Sequence, residues 1–228
     1  MTTIFVYDLT PRSEQYLSEG WMIPVFVLCL LGFAWVRVNY GRRVPQLFSN
    51  LLNVRLMRQT MREELVLTHR ASLVFSSMFV LQVSLLFYLL NVSWSLQTLP
   101  GSGLAFYGKA VVLVILIYTI KLLGIQIVQW VTMSDYSLSE YTYNIFLMNK
   151  IMGILLFPIL LCTIFVDTAS ARILLWAAAG VVVILFLYRL IRGMLTAITQ
   201  GVSPVYIILY LCTLEILPLL LLFKVVGF

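Results

Sequence analysis

The chain has 228 residues, of which 62% are hydrophobic and 11% are charged, and its formal net charge is +6. Soluble globular domains are about half apolar and about a quarter charged, so this composition excludes an ordinary soluble domain. The basic residues flank long apolar runs, which indicates topology signals and contacts with anionic lipid rather than a nucleic-acid surface. We therefore predict one integral membrane domain that occupies residues 1–228.

Six apolar segments approach the length of about 20 residues that a helix needs to cross a bilayer. They cover residues 21–38, 71–90, 110–131, 144–166, 173–190 and 202–223. Residues 1–20 lack a basic leader and a small-residue cleavage site, so we expect a retained polar tail rather than a signal peptide. The predicted fold is all-α, a polytopic helical membrane protein with six transmembrane helices.

The Lys and Arg residues are unevenly distributed between the two faces of this arrangement. Nine of them belong to the connections after the first and fifth spans, whereas four belong to the opposite face. Cytoplasmic segments carry the excess of positive charge in membrane proteins. We therefore expect a bacterial inner (cytoplasmic) membrane protein with both termini in the periplasm.

Residues 47–69, between the first two spans, have the pattern of an amphipathic helix. Apolar residues recur there at steps of three and four, and Arg55, Arg58 and Arg62 form a basic stripe with the same spacing. Such a helix can lie in the cytoplasmic interface with its apolar face in the acyl boundary. The stripe is then either part of a membrane anchor or a docking site for a lipid headgroup or an acidic partner.

The chemistry of the chain is concentrated in a few polar residues inside the spans. Glu215 is an intramembrane carboxylate, which by default marks a functional site. It and Lys121 are both expected near the middle of their spans, where an ion pair would reconcile the two charges. Tyr118 shares a helical face with Lys121, and Asn149 and Lys150 lie toward the cytoplasmic end of span four. The cluster either holds helices in register, relays protons or substrate, or contacts a partner subunit.

Other local features give more limited expectations. Pro158 and Pro218 lack the backbone donor of a helix and are expected to interrupt spans four and six. Residues 134–140 are expected to form a short acidic loop. The cysteines have no metal or disulfide spacing and are expected to be buried thiols; they are Cys29, Cys162 and Cys212.

No recognisable catalytic pattern occurs in the chain. It has no His-Glu-x-x-His zinc motif, no Gly-x-Ser-x-Gly elbow, no Walker lysine loop and no glycine-rich dinucleotide turn. His69 is the only histidine, and no second carboxylate lies within a span to form an acid–base pair with Glu215. We expect no enzymatic activity, no cofactor, no metal and no nucleic-acid partner.

The second half of the chain resembles the domain-of-unknown-function 4271 (DUF4271) family, integral membrane proteins typical of Bacteroidota. The resemblance rests on Tyr118-Thr-Ile-Lys-Leu-Leu-Gly, Tyr143-Asn-Ile-Phe, Gly153-Ile-Leu-Leu-Phe-Pro and the segment from Tyr210 to Pro218. It extends from Arg70 to the C-terminus, whereas the first sixty-odd residues match in layout only. The resemblance implies a bacterial inner membrane and a multi-span helical fold but no activity, so Lys121 and Glu215 are motif positions without roles.

Small size, absent catalytic groups and a basic cytoplasmic segment favour one function. The chain is predicted to be a non-enzymatic accessory or assembly subunit of a larger membrane complex. Its expected partners are the lipid bilayer and either other membrane subunits or further copies of itself. The alternative is a small transporter or channel that uses Glu215 and Lys121.

Overall fold

The computed structural model describes residues 19–39, 41, 47, 49–50, 69–94, 103–132 and 135–199. This part of the chain forms five long α-helices and no strand. The helices are α1 (Met22–Asn39), α2 (His69–Ser93), α3 (Gly103–Thr132), α4 (Asp135–Phe165) and α5 (Thr168–Thr199). Each contains a stretch that is long and apolar enough to cross a membrane. The all-helical membrane class is therefore confirmed, with five candidate spans among the described residues.

Apolar residues lie on nearly all sides of α1, α3 and α4, with little separation into polar and apolar faces. A helix that is hydrophobic all round belongs in a protein interior or in lipid. Large side chains such as Ile23, Leu116 and Ile184 are exposed on the outside of the bundle. A helix satisfies its own backbone hydrogen bonds, which is the requirement for crossing hydrocarbon.

The centre of the bundle is formed by α2 and α4. About half of each is buried, whereas α1, α3 and α5 bury only about a fifth of their apolar stretches. Helix α4 packs most extensively against α5 and α2, and α2 also contacts α3 and α1. The outer helices therefore leave broad apolar faces for lipid or for neighbouring helices.

The two ends of the bundle differ in their chemistry. At one end Tyr88 of α2 contacts both Glu19, which precedes α1, and Phe106 near the start of α3. Trp94, which follows α2, packs edge-on against Trp176 near the start of α5. We call this the Glu19 end. The opposite end, which we call the basic end, contains the helix termini Asn39, His69, Thr132, Asp135 and Thr199.

Helices α2 and α4 approach each other closely at Gly153. A methyl group added at this glycine would lie 3.4 Å from the backbone N and Cα atoms of Phe79. In membranes, where helices gain little from hydrophobic association, such small residues let backbones pack closely. Gly153 thus fixes the depth at which the two central helices cross.

The helix bounds differ from the predicted spans in informative ways. Helix α3 begins at Gly103, seven residues before the predicted start of its span, and α5 continues nine residues past the predicted end at Leu190. Residues 135–140 were expected in a loop, but they form the first turns of α4. An α-helix makes its backbone hydrogen bonds outside its apolar stretch as well, and the hydropathy pattern does not report them.

Helix α4 does not end at Pro158, contrary to the expectation. Proline removes one backbone donor, and packing against neighbouring helices allows transmembrane helices to continue through it. Leu47, Ser49 and Asn50 are helical, but the rest of the predicted helix at 47–69 lies outside the described residues apart from its last position, His69, where α2 begins. The predicted span at 202–223, with Pro218, and the tail before Glu19 also lie outside them.

Candidate functional site: a buried basic cluster

Four cationic side chains are buried in the half of the bundle toward the basic end. Lys121 of α3, Lys150 of α4 and Arg189 and Arg192 of α5 are each at most 9% exposed. We call these four residues the basic cluster. Burying a charge in a membrane interior is costly, so such residues rarely occur there without a function.

Helix periodicity explains how the sequence places these groups together. Tyr118 and Lys121 lie one turn apart on α3, and Arg189 and Arg192 lie one turn apart on α5, so each pair shares a face. Helix α4 contributes Asn149 and Lys150, which are both buried. Three helices thus contribute buried polar side chains to the half of the bundle toward the basic end.

Tyr118 connects the contributions of the three helices. Its hydroxyl accepts a hydrogen bond from Nδ2 of Asn149, with 3.1 Å between the two atoms. Arg189 lies near enough to the same tyrosine to interact with it electrostatically. Of the predicted cluster, the structure thus joins Tyr118 to Asn149, and it adds Arg189, which the sequence analysis counted only as a topology signal.

Arg192 connects the cluster to the segment between α1 and α2. Its Nη2 atom donates a hydrogen bond to the backbone carbonyl of Asn50, at 3.1 Å, and both residues are buried. This contact joins positions 142 residues apart in the sequence. It fixes the beginning of the predicted amphipathic segment against the last described helix.

Lys121 lies farther along its helix than the predicted span implied. Lys121 was expected near the midplane, but it lies eighteen residues from the start of α3 at the Glu19 end. At a rise of about 1.5 Å per residue this is about 27 Å, close to the full hydrocarbon thickness of about 30 Å. The early start of α3 accounts for the difference, because it leaves Lys121 farther from the Glu19 end of its helix than the predicted span did.

Two cluster residues were missed because the predicted fifth span was too short. It ended at Leu190, which made Arg189 and Arg192 look like flanking charges, whereas α5 continues to Thr199. The sequence signal that could have identified them is their spacing of three residues within an uninterrupted helical pattern, which puts both on one helix face. Nothing in the sequence pointed to the role of the Asn50 carbonyl.

Several predicted site residues lie outside the described part of the chain. They are Glu215, Pro218, Arg55, Arg58 and Arg62. The pairing of Glu215 with Lys121 therefore stays a prediction. Asn144, the first residue of the predicted fourth span, is buried, and its Oδ1 atom has no hydrogen-bond partner among the described residues.

A second polar centre lies at the Glu19 end. The carboxylate of Glu19 accepts hydrogen bonds from the indole Nε1 of Trp21 and from the hydroxyl of Tyr88, the latter at 2.9 Å. The same carboxylate lies against Gly103, where α3 begins with a positive φ of 57°. Glu19 therefore links α1, α2 and α3, a role that the sequence analysis did not assign to the polar tail.

The described cysteines separate into two environments. Cys29 is buried, as expected, whereas Cys162 is exposed on the outside of α4, so the expectation of a buried thiol there was wrong. An apolar position in a membrane span can face lipid as well as protein, and hydropathy does not distinguish the two. No group of three or more metal-binding side chains occurs among the described residues.

Fold and polar groups together define a polytopic helical membrane protein with a buried basic cluster at one end. The chain belongs to the DUF4271 family, described as a domain of unknown function, whose model matches residues 22–226. The resemblance is thereby confirmed, and it covers the first span as well as the second half. No curated protein and no solved structure matches the chain.

Proposed function

We propose that the protein is a non-enzymatic accessory or assembly subunit of a larger membrane complex. The observation that supports this role is the hydrogen bond from Arg192 to the Asn50 carbonyl. It attaches the start of the segment between α1 and α2 to the bundle, and the segment ends where α2 begins at His69. A basic segment held at both ends by the bundle is suited to docking.

The charge of that segment defines the partner chemistry. Arg55, Arg58 and Arg62 lie between its two attachment points, three and four residues apart. The guanidinium group of arginine forms paired hydrogen bonds with carboxylates, and arginine is enriched at protein interfaces. The proposed partner is a membrane subunit that presents an acidic surface at the same membrane face.

The apolar surfaces of the outer helices support the same proposal. Helices α1, α3 and α5 expose large side chains along their lengths, including Leu31, Ile120 and Trp176. Such faces accommodate transmembrane helices of a partner, or of a second copy, as readily as lipid tails. Docking through the basic segment would bring the partner's transmembrane helices next to these exposed apolar faces.

Affinity purification from the native membrane in a mild detergent tests this function. We expect a second protein in a fixed ratio to the wild-type chain. A triple variant with Arg55→Gln, Arg58→Gln and Arg62→Gln should lose that protein, because the acidic surface then has no counter-charge. A variant with Lys109→Gln and Arg172→Gln removes charge from the Glu19 end and should retain it. A clean homo-oligomer would contradict the proposal.

The topology that this role requires is a bacterial inner membrane protein with both termini in the periplasm. Single cysteines introduced as Ser102→Cys and Arg58→Cys, in a background lacking native thiols, report on opposite faces. An impermeant thiol reagent added to spheroplasts should label the first and not the second. Labelling of the Arg58→Cys variant from the periplasm would overturn the topology and, with it, a cytoplasmic docking segment.

A second candidate function is a small transporter or channel that uses Glu215 and Lys121. The burial of Lys121 beside other ionisable groups supports it. In proteoliposomes, Glu215→Gln should then abolish a proton- or ion-dependent flux, while Asp167→Asn, an exposed carboxylate between α4 and α5, leaves it unchanged. Equal flux in both variants would rule this function out.

A further inference from the structure

We propose that an internal water molecule is bound between α1, α2 and α3 by the side chains of Cys29, Gln82 and Tyr107. These three residues belong to the half of the bundle toward the Glu19 end, and each is at most 5% exposed. We call them the Gln82 site. The site shares no residue with the basic cluster or with the basic segment after α1, so it is independent of the proposed subunit role.

Gln82 has a buried side-chain amide that makes no hydrogen bond within the described part of the chain. The residue is 1% exposed, and neither its Nε2 atom nor its Oε1 atom has a hydrogen-bond partner among the described residues. Such an amide has two donor hydrogens and an acceptor oxygen. Burying it without partners is unfavourable, and the surrounding hydrocarbon offers no hydrogen bond in exchange. The amide therefore indicates a bound molecule that hydrogen-bonds to it.

The interface between α1 and α2 brings a second polar group beside this amide. Gly32 of α1 faces Met78 of α2, whose Sδ atom would lie 3.2 Å from a Cβ atom added at the glycine. The two helices run in opposite directions, so one turn farther toward the Glu19 end Cys29 is level with Gln82. The Cys29 thiol is near enough to interact with the Gln82 amide, but without the geometry of a hydrogen bond. A small molecule between the two groups would connect them.

Tyr107 completes the site from α3. Its hydroxyl donates a hydrogen bond to the backbone carbonyl of Leu81, the residue before Gln82, at 3.3 Å. The same tyrosine is near enough to Cys29 to interact with it electrostatically. Its hydroxyl oxygen retains the capacity to accept a hydrogen bond. The phenol, the thiol and the amide together match the about three hydrogen bonds that a buried water typically makes.

The chemistry and the surroundings of the site favour water over an ion. The amide presents donors and an acceptor together, and water both donates and accepts, whereas an ion of either sign suits only one end of the amide. Toward the basic end, the contact between Gly32 and Met78 keeps α1 and α2 close. Toward the Glu19 end, the ring of Trp21 packs against that of Tyr107, with 5.0 Å between their centroids. The bound molecule is therefore small.

X-ray radiolysis of the wild-type protein in micelles tests the proposal. Irradiation converts a bound water into a hydroxyl radical beside the side chains that hold it. In water enriched in heavy oxygen, we expect Tyr107 to gain a heavy hydroxyl group and Cys29 to be oxidised. Phe75 is the matched control, an aromatic residue that is 4% exposed and packs in an apolar cluster on α2. Labelling of Tyr107 no greater than that of Phe75 would overturn the proposal.

Two variants on α2 test whether the amide holds the water. Gln82→Met keeps the approximate volume of the side chain but removes its polar atoms, so labelling of Tyr107 should fall to the level of Phe75. Ser84→Ala is the control, because the buried Ser84 hydroxyl bonds to the Val80 carbonyl of its own helix, and labelling should be retained. Full labelling of Tyr107 in Gln82→Met would show that the radicals come from water elsewhere and would overturn the site. The wild-type comparison remains decisive if Gln82→Met fails to fold.

Discussion

The Nδ2 atom of Asn149 donates a hydrogen bond to the hydroxyl oxygen of Tyr118, with 3.1 Å between the two atoms. The bond joins α4 to α3, two helices that otherwise make few close approaches. It also lies beside Arg189 and one residue from Lys150. This bond therefore helps to place α3 and α4 relative to each other beside the basic cluster.

Tyr118→Phe and Asn149→Leu should each lower the free energy of unfolding by about 1 kcal/mol, the usual contribution of an interhelical hydrogen bond in a membrane protein. The double variant should be little less stable than either single one, because the first change already removes the bond. Unfolding in mixed micelles with increasing denaturing detergent measures these values. Thr119→Val is the control, since Thr119 is exposed and bonds only to Ile115 of its own helix. Fully additive losses would show that the two residues do not interact.

Glu19→Ala should lower thermal stability more than Tyr88→Phe does. The alanine variant leaves the Trp21 indole and the Tyr88 hydroxyl without their acceptor, whereas the phenylalanine variant removes a single bond of about 1 kcal/mol. Thermal unfolding in detergent, monitored by circular dichroism, compares the unfolding midpoints of the two variants. Asp167→Asn, at an exposed carboxylate, should leave the midpoint unchanged. Equal midpoints for wild type and Glu19→Ala would show that the carboxylate does not hold the three helices together.

Gly103→Ala should destabilise the protein by about 1 kcal/mol or more. The positive φ of Gly103 is unfavourable for a residue with a Cβ atom, and that atom would lie 2.8 Å from the Glu19 carboxylate. Gly108→Ala is the matched control five residues along α3, where nothing lies within 4 Å of the added methyl group. It should be neutral, or stabilising by up to about 1 kcal/mol, since alanine favours helix. If Gly108→Ala destabilised the protein more than Gly103→Ala, the strained backbone at the start of α3 would be refuted.

Gly153→Leu should force α2 and α4 apart, with a loss of about 1 to 3 kcal/mol, because the added side chain meets the backbone of Phe79. Gly180→Leu on α5 has open space around the same position and should be tolerated. The unfolding assay described above compares the two. If both leucine variants matched the wild type, the close approach of the central helices would be wrong.

The membrane class and the family could be predicted from the sequence, because composition and apolar runs of bilayer length depend on local residue type alone. The bounds of α3 and α5 could not. Hydropathy stops at a charged residue such as Lys109 or Arg189, whereas a helix continues as long as its backbone hydrogen bonds are made. The predicted spans were therefore shorter than the helices that contain them.

The candidate site was partly predictable for the same reason. Tyr118, Asn149 and their lysine neighbours stand out as polar residues within apolar runs, so the sequence identifies them directly. The link from Arg192 to Asn50 depends on how distant helices pack, and no periodicity within one segment reports it. Glu19 was read as part of a polar tail because its partners, Tyr88 and Gly103, belong to other helices.

The bond between Arg192 and the Asn50 carbonyl also constrains the order of events during biosynthesis. Ribosomes add about 5 to 20 residues per second, so the 142 residues that separate the two positions take about 7 to 28 s to make. During that interval α2, α3, α4 and most of α5 are translated, while the Asn50 carbonyl still lacks its guanidinium donor. Closure of this end of the bundle is consequently a late step, and the nascent chain passes most of its synthesis with that end open to insertion factors or to a partner.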